Sequence, residues 1–451
     1  MDFFVKKIQS FMTPTKVNFL WMLLANAIYA LCQWGMLIVL AKMGNPVIVG
    51  RFALAMAITA PVIMLTNMQL RGVQATDAKK EYFLSDYVSV RLLSTVVSFI
   101  IILLILYFSH LGKVVFWVTV ILAVAKAVES LSDVFYGFFQ QHEKMGFMAK
   151  SMIIKGILSV GVLWVVFYFT SSLSWSLVGL VCAWMLVFVF YDWQMGAKLL
   201  TTYEGPSRYS LIMSLIASFK DRQDVIFRIV VLTFPLGIVM GIVSLNTNVP
   251  RYAIEKFLGS RELGIFAALA YTTVAVNMFI QALGQAVSPR LARHFADGDV
   301  RGFNDLLKKM IWINLIIGLA GVLIIFLGGR KILTLIYTRE YAAYSGLFVV
   351  LMISAMLSGV GSALGYAVTS VRQFNLQVPL TVAVFFFTGL VSFLMIPHYG
   401  LYGAAIALIV AALIQIIGAA WILKRKLSSV ADDHGGGGMN FRMGDHLTDA
   451  Y

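Results

Sequence analysis

Twelve long apolar stretches constrain this chain more than any other feature of its sequence. A helix of about 20 apolar residues crosses the roughly 30 Å of hydrocarbon in a bilayer. In lipid, every backbone polar group must be paired within the protein, and at these lengths only helices achieve that. The sequence therefore predicts an all-α polytopic membrane protein with about 12 transmembrane helices, at 17–41, 47–70, 88–108, 114–140, 150–170, 173–198, 225–248, 264–288, 310–327, 343–369, 376–396 and 401–423.

The composition excludes a water-soluble protein. Of the 451 residues, 60% are hydrophobic and only 12% are charged. A soluble fold of this size could not bury so much apolar surface and keep a wettable exterior. The twelve spans also leave no room for a separate globular domain, so we exclude a soluble enzyme.

The basic residues predict how the chain is oriented in the membrane. With the N-terminus inside, the cytosolic segments hold 24 lysines and arginines and the opposite side holds 9. Because cytosolic loops carry the excess of basic residues, both termini are predicted to be cytoplasmic. Orientation and contact with anionic membrane lipids account for most of the net charge of +14, and no nucleic-acid partner is expected.

The longest polar connection, from about residue 199 to 224, divides the spans into two sets of six. We predict an N-terminal six-helix lobe at 1–205 and a C-terminal six-helix lobe at 206–430. Residues 431–451 carry a run of four glycines and no apolar period, which is typical of a disordered cytosolic tail.

A faint repeat relates the two halves. One constant shift along the chain aligns Gly50 with Gly264 and Phe52 with Phe266, in segments where a basic outer loop leads into an Ala-rich span. Transporters are often built from repeated halves with the binding site between them. The repeat therefore favours a transporter.

Ionisable side chains inside the fourth span are the sharpest candidate site. Lys126, Glu129 and Asp133 share one helical stripe, which Gln140 extends. Lys126 lies about 18 Å along the helix from its outer end, near mid-bilayer. A charge there costs at least about 2.5–3.5 kcal/mol if it faces lipid. The stripe therefore either lines a transport pathway, with the acids coupling it to H⁺ or Na⁺, or forms a self-neutralising Lys126–Glu129 pair that only fixes packing.

Amides form a second group of candidates. Asn277, Gln281 and Gln285 are spaced by four residues and make a continuous ridge on the eighth span, while the first span carries Asn26 and Gln33. Such amides either hydrogen-bond between helices or line a sugar-binding cavity, because an amide both donates to and accepts from hydroxyl groups.

Charged residues at the ends of the spans are candidates for phosphate binding or gating. An arginine fork matches the geometry of phosphate, although an arginine at a span end can equally be an anchor at the membrane surface. The candidates at the outer ends are Arg51 and Arg251, and those at the cytosolic start of the seventh span are Asp221, Arg222, Asp224 and Arg228.

The sequence carries no constellation for catalysis or metal binding. The six histidines lie in span ends, loops and the tail without metal-ligand spacing, and the two cysteines form no framework. No nucleotide-binding lysine loop is present either. We therefore expect no enzyme activity, cofactor or metal, and transport driven by an ion gradient such as H⁺ or Na⁺, by membrane voltage or by substrate supply.

Several segments together resemble a known transporter family. They are Lys126-Ala-Val-Glu129-Ser-Leu-Ser-Asp133-Val-Phe-Tyr136-Gly-Phe-Phe-Gln140-Gln-His-Glu143-Lys144-Met, Asn248-Val-Pro-Arg251-Tyr252-Ala-Ile-Glu255-Lys-Phe-Leu-Gly259, Gly264-Ile-Phe, Ser288-Pro289-Arg290-Leu and Tyr399-Gly-Leu-Tyr-Gly403-Ala-Ala. Over nearly all of 15–425, the chain resembles the Wzx-type flippases of bacterial O-antigen and capsule synthesis. These belong to the multidrug/oligosaccharidyl-lipid/polysaccharide (MOP) flippase superfamily.

This resemblance implies two six-helix lobes that form a V around a cationic cavity, which opens alternately to each leaflet. It implies flipping of polyprenyl-diphosphate-linked oligosaccharide from the inner to the outer leaflet of the bacterial inner membrane, next to polysaccharide polymerase and glycosyltransferases. Lys126 occupies the position where the family pattern carries an intramembrane charge. The first and seventh spans lack a mid-depth arginine, which leaves open which residues hold the diphosphate.

Two alternatives remain. A MATE-like drug/cation antiporter shares the twelve spans, but it favours an acidic cavity rather than one with a lysine at mid-depth. A non-transporting scaffold of a glycan-assembly complex needs no cavity at all.

Overall fold

The computed structural model describes residues 14–77, 79–203 and 219–435, and within these ranges it contains helices and no strand. A five-residue π-helical turn, Phe188–Asp192, lies between the helices Leu173–Val187 and Trp193–Tyr203. The α-helices are α1 (Pro14–Met43), α2 (Pro46–Asn67), α3 (Leu70–Thr76), α4 (Leu84–Phe108), α5 (Lys113–Gln141), α6 (Met145–Thr170), α7 (Leu173–Val187), α8 (Trp193–Tyr203), α9 (Gln223–Leu258), α10 (Ser260–Thr272), α11 (Val274–Ala296), α12 (Val300–Ile336), α13 (Arg339–Ala342), α14 (Ser345–Ser370), α15 (Phe374–Tyr399) and α16 (Leu401–Gly435).

Eleven helical segments among the described residues are long and apolar enough to cross a membrane, and they coincide with eleven of the twelve predicted spans. The predicted span 264–288 differs, because it is divided between α10 and α11 at Thr273. The Thr273 hydroxyl donates to the carbonyl of Ala270 (2.7 Å), and the Thr273 amide donates to the same carbonyl (3.2 Å). Such local side-chain bonds compete with the helical pattern, which explains the division.

The apolar cores show how the two halves of the chain meet. We call the membrane face at which α1 begins and α16 ends the terminus side, and the opposite face the far side. On the far side, one core joins both halves, from Leu40 and Phe52 to Ile254 and Leu401. On the terminus side there are two separate cores, one around Phe138 that joins the N-terminal half to the start of α9 (Ile226 and Ile229), and one within the rest of the C-terminal half. The halves therefore share one core on the far side, whereas on the terminus side the core of the N-terminal half includes only α9 from the C-terminal half.

Two glycines let the halves approach each other closely. A Cβ added to Gly50 would lie 1.7 Å from the carbonyl oxygen of Ser260, and one added to Gly264 would lie 1.8 Å from that of Pro46. The shift that aligns the repeat also relates these two contacts, and α2 and α10 begin at the two related positions. Small residues let membrane helices approach this closely. The repeated segments are thus packed against each other at the far side.

A proline explains a second contact between the halves. Pro61, inside α2, has no amide hydrogen, so the carbonyl of Ala57 loses its helical partner. The Tyr252 hydroxyl on α9 donates to that carbonyl instead. The proline in one half therefore creates an acceptor that the other half fills.

The helix α16 corrects part of the predicted tail. It runs to Gly435, so residues 431–435 of the segment expected to be disordered are helical. Residues 431–434 have side chains compatible with a helix, and the glycine run, with its poor helix propensity, begins where α16 ends. Residues 436–451 lie outside the described residues, as does the predicted lobe boundary at 205/206.

Candidate functional site

A cavity of about 680 Å³ lies among α1, α2, α3, α5, α6 and α9. Its volume is within the usual range for ligand sites. The shared far-side core lies along the preceding parts of α2 and α5, so the cavity occupies the half of the molecule toward the terminus side. Five predicted site residues line it, namely Asn26, Lys126, Glu129, Asp133 and Gln140.

Lys126 lies in this cavity with a paired charge. Its Nζ is 2.6 Å from Oε2 of Glu129, and the Tyr29 hydroxyl donates to Oε1 of the same carboxylate at 2.5 Å. The ammonium also lies 5.5 Å from the ring centroid of Trp184, a distance typical of a cation–π contact. The side chain is 19% exposed, so the charge meets the cavity and its partners rather than lipid.

Asp133 is shared by two arginines. Arg71 Nη1 lies 3.4 Å from one carboxylate oxygen, and Arg91 Nη2 lies 3.4 Å from the other. Arg71 also donates through Nε to Gln140 (2.8 Å), and Arg91 is fully buried. Two guanidinium groups on one carboxylate leave an excess of positive charge at this end of the cavity.

A break between α2 and α3 brings Arg71 into the cavity. Met68 and Gln69 have positive φ angles of 49° and 53°, which non-glycine residues adopt at a cost of about 1–3 kcal/mol each. The helix is interrupted there, so α2 ends at Asn67 and α3 begins at Leu70. On the other half of the protein, the Thr233 hydroxyl lies 3.7 Å from the sulfur of Met68. The strained turn is therefore held partly by α9.

A buried ion pair lies at the base of the cavity. Lys155 Nζ is 2.8 Å from Oδ2 of Asp192 and 3.2 Å from the Tyr136 hydroxyl, and it also donates to Ser132. Asp192 ends the π-helical turn, a feature often found at functional sites. Its other carboxylate oxygen is buried without a hydrogen-bond partner. With Arg71 and Lys126, Lys155 gives the lining three cations beside the two acids of the predicted stripe, and Asp192 pairs with Lys155 from behind the lining.

Among the remaining amide and outer arginine candidates, those whose side chains the structure describes do not line this cavity. Arg51 lies at the far side near the start of α2, and Arg251 donates to Asn248 (3.0 Å). Gln281 and Gln285 are exposed on α11, and Gln33 has a buried Nε2 without a partner. The side chain of Asn277 lies outside the described residues.

The gate candidates separate into two kinds. Arg222 contacts the buried carboxylate of Asp86 at 3.0 Å and lies 4.5 Å from the ring centroid of Phe83, so it ties the start of α9 to α4. Asp224 and Arg228 form an exposed pair at 3.7 Å. Asp221 is exposed as well.

Sequence reasoning missed Arg71, Arg91, Lys155 and Asp192, because it counted the three basic residues with the cytosolic segments and passed over the aspartate. Arg91, Lys155 and Asp192 fall inside the predicted spans 88–108, 150–170 and 173–198. An ionisable residue inside a span marks a functional position by default. The sequence therefore already marked Arg91, Lys155 and Asp192 as candidates. Arg71 instead follows its predicted span, and its place in the cavity depends on the turn at Met68 and Gln69.

The chain is similar to known polysaccharide biosynthesis proteins in sequence and to membrane transporters in structure. The family of polysaccharide biosynthesis proteins matches residues 16–295. The capsular polysaccharide biosynthesis protein CapF of Staphylococcus aureus is 29% identical over 409 residues, covering 90% of this chain and 99% of that protein. An inward-facing multidrug resistance MATE family transporter of the MOP superfamily has a TM-score of 0.72 at 13% identity, covering 90% of this chain and 96% of the other. The lipid II flippase MurJ, in an inward closed conformation, has a TM-score of 0.71 at 12% identity, covering 92% and 90%.

These relatives settle the fold and the family. The structural likenesses show the fold predicted from the sequence, and the family match covers more than half of the chain. The chain is a multi-pass membrane protein. It belongs to the family of polysaccharide biosynthesis proteins.

Proposed function

We propose that the protein flips polyprenyl-diphosphate-linked oligosaccharide from the inner to the outer leaflet of a bacterial inner membrane, for cell-surface polysaccharide synthesis. The observation that carries this proposal is the cation-rich cavity deep in the N-terminal half. Membership of the polysaccharide biosynthesis family, the capsular relative and the fold shared with a lipid II flippase support it. The protein acts as a transporter without enzyme activity, with both termini in the cytosol.

The cavity replaces the water that a diphosphate loses in the membrane. Moving a bare ion into a low-dielectric medium costs several kcal/mol even after relaxation, so the charge needs partners. Lys126 and Arg71 offer an ammonium and a planar guanidinium fork, which suit phosphate oxygens. In the empty cavity, Glu129 and Asp133 neutralise these cations. The cargo displaces the carboxylates, which then exchange H⁺ or Na⁺.

We propose that transport proceeds by alternating access, and the packing of the two halves supports this. The far-side core and the contact between Gly50 and Gly264 close the cavity toward one face. At the other face the two halves have separate cores, and the start of α9 packs with the N-terminal half. Cargo enters from the terminus side, and the far-side contacts part for release.

Replacing Lys126 by alanine tests the proposal. A charge-assisted hydrogen bond contributes about 1.5–3 kcal/mol, so binding of the diphosphate should weaken about 10- to 150-fold. Surface polysaccharide should fall in a strain that depends on this gene, and lipid-linked repeat units should accumulate inside. Lys113→Ala, at the exposed far-side end of the same helix, is the matched control. Normal export by Lys126→Ala, at a normal level of inserted protein, would overturn the proposal.

The same strains separate the two alternatives. A drug/cation antiporter predicts that loss of the protein sensitises cells to organic cations and leaves polysaccharide export intact. A scaffold predicts that Lys126→Ala supports export as well as the unmodified protein does. The flippase predicts neither result.

A further inference from the structure

The walls of the cavity are chemically segregated by helix. The charged lining residues come from α3, α5 and α6, whereas α2 and α9 contribute apolar groups apart from Asn67 at the end of α2. On α2 these groups recur at helical spacing along one face, and they are Met56, Ala60, Ile63 and Met64. Met240 of α9 completes this apolar wall.

Close helix packing brings Met240 to the cavity. Gly237 lies three residues before Met240 on α9. A Cβ added there would lie 2.3 Å from the carbonyl oxygen of Leu65, so only glycine allows this approach. Gly241 likewise lies against Leu65, at 3.2 Å from its Cβ. The two glycines let the backbone of α9 approach α2, so the wall is formed by both halves of the protein.

A cavity for a hydrated head group alone does not need such a wall. Apolar side chains in contact with water are unfavourable, and Met64 is 43% exposed. Methionine is unbranched and polarizable, so it adapts to flexible hydrocarbon. The apolar wall borders the site where Lys126 and Arg71 offer positive charge. This combination suits a ligand in which an anionic group is joined to a hydrocarbon chain.

Resting on the proposed function, we infer that the cavity also binds the lipid-proximal end of the cargo. The diphosphate contacts Arg71 and Lys126, and the first isoprene units lie against Met56, Met64 and Met240. The start of the polyprenyl chain therefore enters the protein, and only the remainder stays in the bilayer.

The test compares geranyl diphosphate with methyl diphosphate, which carries the same head group on a single carbon. Binding of both to the purified full-length protein in nanodiscs is measured calorimetrically, with empty nanodiscs subtracted. Burial of the geranyl carbons should make geranyl diphosphate bind about tenfold more tightly or better. Met240→Gln should lower this ratio at least threefold while leaving methyl diphosphate unchanged. Met43→Gln, at the far-side end of α1, is the matched control.

Two results would overturn the inference: equal affinity for the two probes, or an equal loss of both with Met240→Gln. Failure of the proposed function has a different signature. In that case Lys126→Ala leaves the binding of both probes unchanged.

Discussion

Replacing Gly264 by alanine tests whether the contact between α2 and α10 closes the far side. The new Cβ would lie 1.8 Å from the carbonyl oxygen of Pro46, whereas real Cβ atoms essentially never approach another atom within 3.0 Å. The two helices must therefore move apart by at least the difference between these two distances. Because the opposing atom belongs to the backbone, no side-chain rotation can relieve the clash.

The cost of this substitution falls on one conformation. Overpacking a well-packed contact costs about 1–3 kcal/mol, and the cost arises only while α2 and α10 touch. A conformation with the far side open is not penalised. A difference of this size changes the ratio of the two conformations about 5- to 150-fold, toward the open far side.

Thiol labelling measures this shift. In a background with Cys32 and Cys182 replaced by alanine, Met64→Cys places one thiol in the cavity. A membrane-impermeant maleimide is added to one face or the other of oriented vesicles. Gly264→Ala should raise labelling from the far side and lower it from the terminus side. Gly161→Ala on α6, where a Cβ would meet nothing within 4 Å, should change neither rate.

The reasoning is refuted if Gly264→Ala labels like Gly161→Ala while the amount of inserted protein is normal. The repeat-related Gly50→Ala supplies a second measurement, because its Cβ would lie 1.7 Å from the carbonyl oxygen of Ser260. The two variants should shift labelling in the same direction. Opposite shifts would show that the contact does not act as one seal.

Three further predictions concern stability. Tyr252→Phe leaves the carbonyl of Ala57 without a partner and should cost about 1–3 kcal/mol in reversible unfolding; an unchanged midpoint would show that water replaces the tyrosine. Lys155→Met leaves the buried carboxylate of Asp192 unpaired and should lower the free energy of unfolding by about 3–5 kcal/mol. Adding Asp192→Leu should restore most of this loss. A double variant as unstable as Lys155→Met alone would contradict this account of the pair. Burial lowers the pKa of His142, which follows the end of α5. The unfolded state therefore binds this proton more readily than the folded state. The contribution of neutral His142 to the free energy of unfolding is fully present above about pH 6.5 and is lost as pH falls through the folded pKa. His142→Gln should therefore lose less thermal stability than the unmodified protein between about pH 7.5 and 5.5, and equal losses would exclude this histidine as the cause.

The sequence alone predicts most of the fold, because membrane spans follow from local composition. Eleven apolar stretches correspond to helices, and length and hydropathy suffice for each. The division at Thr273 was not predicted, since it depends on how hydroxyl groups bond to the backbone. Helical spacing also places Lys126, Glu129 and Asp133 on one stripe, and all three line the cavity.

The sequence marks Lys155 as a charge inside a predicted span, but the contacts of Lys155 and Arg71, the two cations that complete the cavity, could not be assigned in this way. The positive-inside rule counts residues near the membrane surface and carries no information on where each side chain points. Arg71 follows its predicted span and enters the cavity only because Met68 and Gln69 adopt positive φ angles. The ion pair between Lys155 and Asp192 depends on the position that the π-helical turn gives to Asp192. Both depend on tertiary structure rather than on local pattern.

The two halves are symmetric at their contact and asymmetric in charge. Gly50 and Gly264 make equivalent contacts on the far side, whereas the charged lining residues of the cavity all belong to the N-terminal half. Equal positive charges on both walls would repel each other across a closing cavity, and the repulsion would be strong in a low-dielectric interior. A charged wall facing an apolar one avoids this cost, because the apolar wall from α9 can approach a bound anion without adding charge. In the proposed mechanism, one-sided charge therefore lets the repeated halves close around a single anionic group.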